Sequence, residues 1–139
     1  MSMKLAKACY VYASTLPSDE KYGLVNQIRR AATSPACNIA EGYGRNTDPA
    51  FAQYLRVAKG SLNELVTLLI LAHEVGYPPA PPETFKLLGA TGTKVRNSID
   101  SLASSHHSRE ARAAYDTEAA RAGGCQDVVA VPVAYLDDS

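Results

Sequence analysis

The stretch from Gln27 to Arg45 constrains the fold more than any other part of the chain. It reads as one long amphipathic helix with a proline inside it and glycines at its end. At about 100° per residue, Leu24, Ile28, Ala31, Ala32, Pro35 and Ile39 share one apolar sector, while Arg30, Cys37 and Glu41 fall on the far side. Pro35 removes one backbone donor and presses on the carbonyl of Ala31. Two geometries are open: the helix kinks and continues, or Ser34 caps a restarted helix with Pro35 at its first position. The stripe stays in phase across the proline, which favours the kink. Gly42 or Gly44 then closes the helix.

Three further helices are read from the same periodicity. The first runs from about Ser2 to Leu16, with Leu5, Ala8, Cys9, Tyr12 and Leu16 on one face. Pro17 stops it, because proline disfavours helical geometry in the residue before it. Ser18 is placed to cap the second helix, with Asp19 and Glu20 in its positive first turn. Gly23, inside that helix, costs about 1 kcal/mol relative to alanine. The third helix has Asp48 as N-cap, Pro49 as its first residue, and Gly76 with Pro78 at its end. Phe51, Tyr54, Leu55, Ala58, Leu62, Leu65, Leu69 and Ala72 line its core face. Beside them Val57, Leu68, Leu71 and Val75 form a second apolar strip, wider than one side of a simple bundle needs. That strip is either deeply buried in a central helix or meets another subunit. Pro78, Pro79, Pro81 and Pro82 form a stiff connector. The fourth helix begins near Pro82 and runs to about Ser104, with Phe85, Leu88, Thr91, Val95, Ile99 and Leu102 at helical spacing.

The fold class that follows is all-α: an antiparallel, up-down-up-down four-helix bundle, neighbours crossing at roughly 20°. The bundle occupies residues 1–105. Residues 106–139 form a weakly structured C-terminal appendage: alanine, arginine and acids to Ala122, then Gly123-Gly124, then a β-prone Asp127–Leu136 without a partner strand. Charge follows the same division. Residues 1–105 hold 11 basic and 8 acidic residues, and 106–139 hold 3 and 6, within a chain of net charge zero. No global electrostatic pull on nucleic acid or membrane results. Cys9, Cys37 and Cys125 are odd in number and lack Cys-x-x-Cys spacing, which fits idle thiols in a reducing cytosol. The N-terminus has no signal-peptide pattern, and the most apolar run, Leu65 to Ala72, is too short to span a bilayer. A cytoplasmic location, with no membrane partner, is therefore expected.

Several segments at fixed spacings carry a family resemblance. They are Glu20-x-Tyr22-Gly23-Leu24 leading into Gln27-Ile28-Arg29-Arg30-Ala31-Ala32; Pro35 with Asn38-Ile39-Ala40-Glu41-Gly42 and Arg45; and Phe51, Leu55, Ala58, Gly60-Ser61-Leu62, Glu64-Leu65 and Gly76-Tyr77. In these the chain resembles the four-helix bundle proteins of the 23S ribosomal RNA intervening sequence family, over about residues 4–103. The resemblance implies a ring-like homopentamer with no enzymatic activity attached to the fold. It implies relatives encoded inside inserts of bacterial large-subunit ribosomal RNA genes. It also implies relatives that serve diversity-generating retroelements, where a pentamer engages RNA or DNA and a reverse transcriptase.

Candidate sites are few. Gly42-Tyr43-Gly44-Arg45 is read as a helix end rather than an anion nest. Arg29, Arg30, Arg45, Arg56 and Lys59 are the residues a phosphate-binding surface would use, multiplied by copy number in a ring; otherwise they are solvated or form salt bridges. Glu41 and Glu64 are expected to pair with arginines rather than act as an acid–base couple. His73 is read as a core or rim histidine, and His106-His107 and Cys37 lack the neighbours that metal binding or nucleophilic catalysis requires. Tyr54 is expected on the core side. No catalytic, cofactor-binding or metal residues are assigned. The expected function is a non-enzymatic homo-oligomer with Val57, Leu68, Leu71 and Val75 at its subunit interface. The alternative is a nucleic-acid-binding accessory protein.

Overall fold

A computed structural model of the chain, described here for residues 1–121, contains four α-helices and no strand among those residues. They are α1 (Ser2–Ala13), α2 (Leu24–Tyr43), α3 (Asp48–Glu74) and α4 (Pro82–Arg121), with a short 3-10 helix at Ser18–Tyr22. Two compact units are distinguished, one covering Met1–His106 and the other beginning at His107.

The core of the first unit is built from the stripes that the periodicity marks. Leu5, Cys9, Tyr12, Ile28, Ala31, Ala32, Leu55, Ala58, Leu62, Leu65, Leu69 and Ala72 are all buried. Burying each such large aliphatic side chain contributes about 1.5–3 kcal/mol. α2 packs against both α1 and α3. It continues through Pro35 without a restart, and Pro35 itself is buried on the apolar face.

The ends of the helices differ from expectation in ways that side chains explain. α1 stops at Ala13 rather than Leu16. The hydroxyls of Ser14 and Thr15 donate to the carbonyls of Val11 and Tyr12, at 2.6 and 2.7 Å, and so compete with further helical turns. Ser18 caps no helix; it begins the 3-10 helix, and Gly23 separates that helix from α2. The carboxylate of Glu20 accepts from the Leu24 backbone N–H at 3.1 Å and does the work assigned to a capping serine. Thr47, extended at φ −133°, is the N-cap of α3, and Asp48 lies one position later, still in the first turn where negative charge is favourable. At the other end of α3, Gly76 adopts φ +98°. The Tyr77 N–H donates to Ala72 and the Gly76 N–H to His73, at 3.0 and 2.9 Å, which is a Schellman closure that only a left-handed residue permits.

α4 does not end near Ser104. It continues to Arg121, so 107–121, expected as part of a weakly structured appendage, is helical. The alanine-, arginine- and glutamate-rich sequence there has no glycine or proline to stop it. Its residues 107–118 are exposed. The β-prone Asp127–Leu136 and Cys125 lie outside the described residues. Within α4 the expected inward stripe holds at Leu88, Thr91 and Val95, which are buried, and at Ile99 and Leu102, which pack against the core; only its first position differs, with Thr84 buried and Phe85 exposed.

Candidate functional site

Three polar fasteners tie the helices together, and each joins residues far apart in sequence. In the middle of the α2–α3 contact, Ser34 Oγ and Ser61 Oγ lie 2.7 Å apart. Asn38 Nδ2 donates to both the carbonyl and the hydroxyl of Ser34, at 2.9 and 3.0 Å, and Ser61 Oγ also donates to the Val57 carbonyl. Small side chains here let the two helices approach closely beside Pro35. At the α2–α3 turn, Glu41 Oε1 accepts from Arg45 at 2.6 Å and from the Tyr54 hydroxyl at 2.8 Å. Arg45 also donates to that hydroxyl at 2.9 Å, with its guanidinium 5.5 Å from the Tyr54 ring centroid. Tyr54 therefore lies with its ring half-buried and its hydroxyl in a surface ion pair, not turned wholly into the core. The Arg45 hydrogen bond, then that of Tyr54, holds the Glu41 carboxyl below its ordinary value. Between these partners Gly42 is buried, and a Cβ built on it would stand 2.5 Å from Tyr54 Cβ.

The third fastener closes the opposite end of the pair. Tyr77 OH donates to Glu20 Oε1 at 2.9 Å while Glu20 Oε2 accepts from Leu24. The Leu24 N–H, then the Tyr77 hydroxyl, lowers the Glu20 pKa. Tyr12 OH donates to the Pro78 carbonyl at 2.8 Å and anchors the connector to α1. The start of α2 thus meets the end of α3, and the end of α2 meets the start of α3, so the two run in opposite directions. No anion nest forms at Gly42-Tyr43-Gly44-Arg45: Gly42 lies inside α2, Gly44 has φ −70°, and the left-handed residue of the turn is Asn46 at φ 57°.

Outside the fasteners, α3 presents its second apolar strip to solvent. Val57, Leu71 and Val75 are 45%, 46% and 57% exposed, and Leu68 is half-buried against the core. Gly60, on the same side of the helix, has open space where a side chain would be. The five cations are distributed around the unit. Arg29 stacks on Tyr10, 5.4 Å from the ring centroid, and its Nε is buried without a hydrogen-bond partner. Arg45 is held by Glu41. Arg30, Arg56 and Lys59 are exposed. Lys59 stands with Arg96 at the edge of a shallow notch of about 250 Å³ between α3 and α4, with Leu62 and Leu88 also among its lining. The sequence reading left out Arg96, whose proximity to Lys59 depends on how α4 packs.

The family model for 23S rRNA-intervening sequence protein matches residues 1–101. The chain belongs to that family. Comparison with curated proteins returns no match. In this family member the segments that carry the resemblance are the ones that meet in the fasteners. Glu20 reaches Tyr77, Asn38 reaches Ser61 through Ser34, and Glu41 and Arg45 clasp Tyr54 beside Gly42. Those residues hold α2 against α3.

The remaining candidates are placed as follows. His73, in the last turn of α3, is exposed, with Nδ1 3.5 Å from the Tyr77 carbonyl. Glu64 is exposed on α3 and is not gathered with Glu41. Cys9 is buried, and burial pushes its thiol up to about 11, while Cys37 is exposed. Among the described residues no three His, Cys, Asp or Glu side chains gather as a metal site, and no helix is long and apolar enough to cross a membrane.

Proposed function

We propose that the chain is a non-enzymatic, cytoplasmic assembly module that joins copies of itself through the outer strip of α3. The exposure of Val57, Leu71 and Val75 on one side of a single long helix carries this reading. Exposed aliphatic side chains on one side of a helix gain when a matching surface removes them from water. Gly60 leaves room within the row for a neighbouring helix to approach. Five copies in a ring is the number that the family resemblance implies. Light scattering on the protein eluting from a size-exclusion column at tens of micromolar tests this. The expected mass is a small integer multiple of 14.8 kDa, five if the ring is closed. A monomer mass at that concentration removes the reading.

A second reading is favoured by Arg30, Arg56 and Lys59, which are exposed and in no ion pair among the described residues. Repeated around a ring, such cations would engage phosphates of RNA or DNA with summed strength, alongside a polymerase partner. Filter binding with a structured RNA at two salt concentrations tests it. Affinity that falls steeply with salt supports phosphate contacts, and salt-independent affinity contradicts them.

A further inference from the structure

A concavity of the first unit lies away from the α3 strip. It is an open trough of about 680 Å³ between α1 and the proline connector that leads into α4. Its apolar surface comes from Ala8, Val11 and the rings of Pro78, Pro79 and Pro81. The Tyr12 hydrogen bond to the Pro78 carbonyl fixes the two walls against each other, and the prolines hold the connector stiff. The trough is therefore formed before anything enters it. Val11 is 60% exposed, on the side of α1 away from the buried Leu5, Cys9 and Tyr12.

Charge is distributed unevenly around this surface. Lys4 and Lys7 line the α1 wall one turn apart, and neither is in an ion pair among the described residues. On the facing side the one carboxylate, Glu83, has a cation of its own, Lys86, at 3.5 Å. The N-terminal end of α4, where the helix dipole is positive, opens onto the same place. An occupant that fits must be apolar along its length and negative toward α1. The trough has two walls and no roof, and it follows α1 from Lys4 to Thr15, about 17 Å at 1.5 Å per residue. A small ligand needs most of its surface enclosed. About three turns of a partner helix need only a groove with anchoring positions one turn apart.

We propose that this trough is the docking site for an amphipathic peptide helix of another protein, its apolar face on Val11 and the proline rings and its acidic residues on Lys4 and Lys7. The site is independent of the α3 strip, so it stands whether or not copies of the chain assemble.

The test uses the full chain and two fluorescently labelled synthetic helical peptides with the same leucine pattern. One is flanked by glutamates and the other by lysines at the same positions. Anisotropy titration is expected to show saturable binding of the acidic peptide only. The double variant Lys4→Glu, Lys7→Glu is expected to weaken it by about tenfold, two exposed ion pairs being lost and reversed, and to bring in binding of the basic peptide. Val11→Asp is expected to abolish binding of the acidic peptide. Lys94→Glu, on the exposed side of α4, is expected to change nothing. Glutamates near the start of α1 favour its dipole, so the double variant keeps its helix, which circular dichroism verifies. Equal binding of both peptides, binding that survives the double variant, or no binding of either peptide overturns the proposal. Binding of decanoate without binding of the acidic peptide also overturns it, by making the trough a small-molecule site.

Discussion

Replacing Gly42 with alanine is expected to destabilise the fold, although alanine is the better helix former. Gly42 lies in the last turn of α2, where the gain from alanine is at most about 1 kcal/mol. Against it stands a contact that cannot exist: the new Cβ would lie 2.5 Å from Tyr54 Cβ, 3.0 Å from Phe51 Cδ2 and 3.1 Å from Tyr54 Cγ. Restoring an ordinary 3.4 Å separation from Tyr54 Cβ requires about 0.9 Å of movement (3.4 less 2.5). A Cβ moves only with its backbone, so α3 must shift away from α2, and the Glu41–Arg45–Tyr54 cluster shifts with it. Overpacking of this kind costs about 1–3 kcal/mol. The net loss should be about 1–2 kcal/mol, or several degrees of Tm for a domain of this size. Gly89→Ala supplies the control. A Cβ at Gly89 meets nothing within 4 Å, and the same chemical change there should stabilise by up to about 1 kcal/mol. Urea unfolding followed by circular dichroism, with equal m-values, measures both. A Gly42→Ala protein as stable as the wild type would refute the close α2–α3 approach.

Ser61→Ala should cost about 1 kcal/mol, because Ser61 is buried and loses its bonds to Ser34 and Val57. The Ser34→Ala, Ser61→Ala double variant should cost less than the sum of the singles, as a double-mutant cycle by denaturant unfolding will read. Acidification should lower Tm. Both Glu20 and Glu41 have folded pKa values below the ordinary 4.5, so the stability they contribute is present above that pH and is lost as pH falls through the lower folded values. Tyr77→Phe removes one of the two bonds that lower the Glu20 pKa, and should both reduce Tm at neutral pH and make its fall in acid shallower.

Helix identity and core composition were legible because both depend on local pitch. The stripe through Leu24, Ile28, Ala31 and Pro35 stays in phase, and α2 accordingly runs through the proline. The row from Leu55 to Ala72 on α3 is buried as its spacing implies. What sequence could not supply was any property owned by two segments at once. Gly42 looks like a helix stop until Tyr54 is placed against it. Glu20 and Tyr77 are 57 residues apart, and nothing near either one names the other. Thr84 is buried where hydrophobicity points to Phe85. The strip Val57, Leu71, Val75 was legible as a surplus; only coordinates distinguish a surplus buried within one chain from one left outside.

A sedimentation-equilibrium comparison of the wild type with the Val57→Glu, Leu71→Glu, Val75→Glu triple variant is the most direct measurement of what the outer row of α3 does. All three positions are already exposed, so the variant should keep its helical signal and its cooperative unfolding. The expected result is a wild type that sediments as an assembly and a folded variant that sediments at 14.8 kDa. A variant that remains assembled would contradict the role given to that row, and so would a wild type that sediments as a single chain.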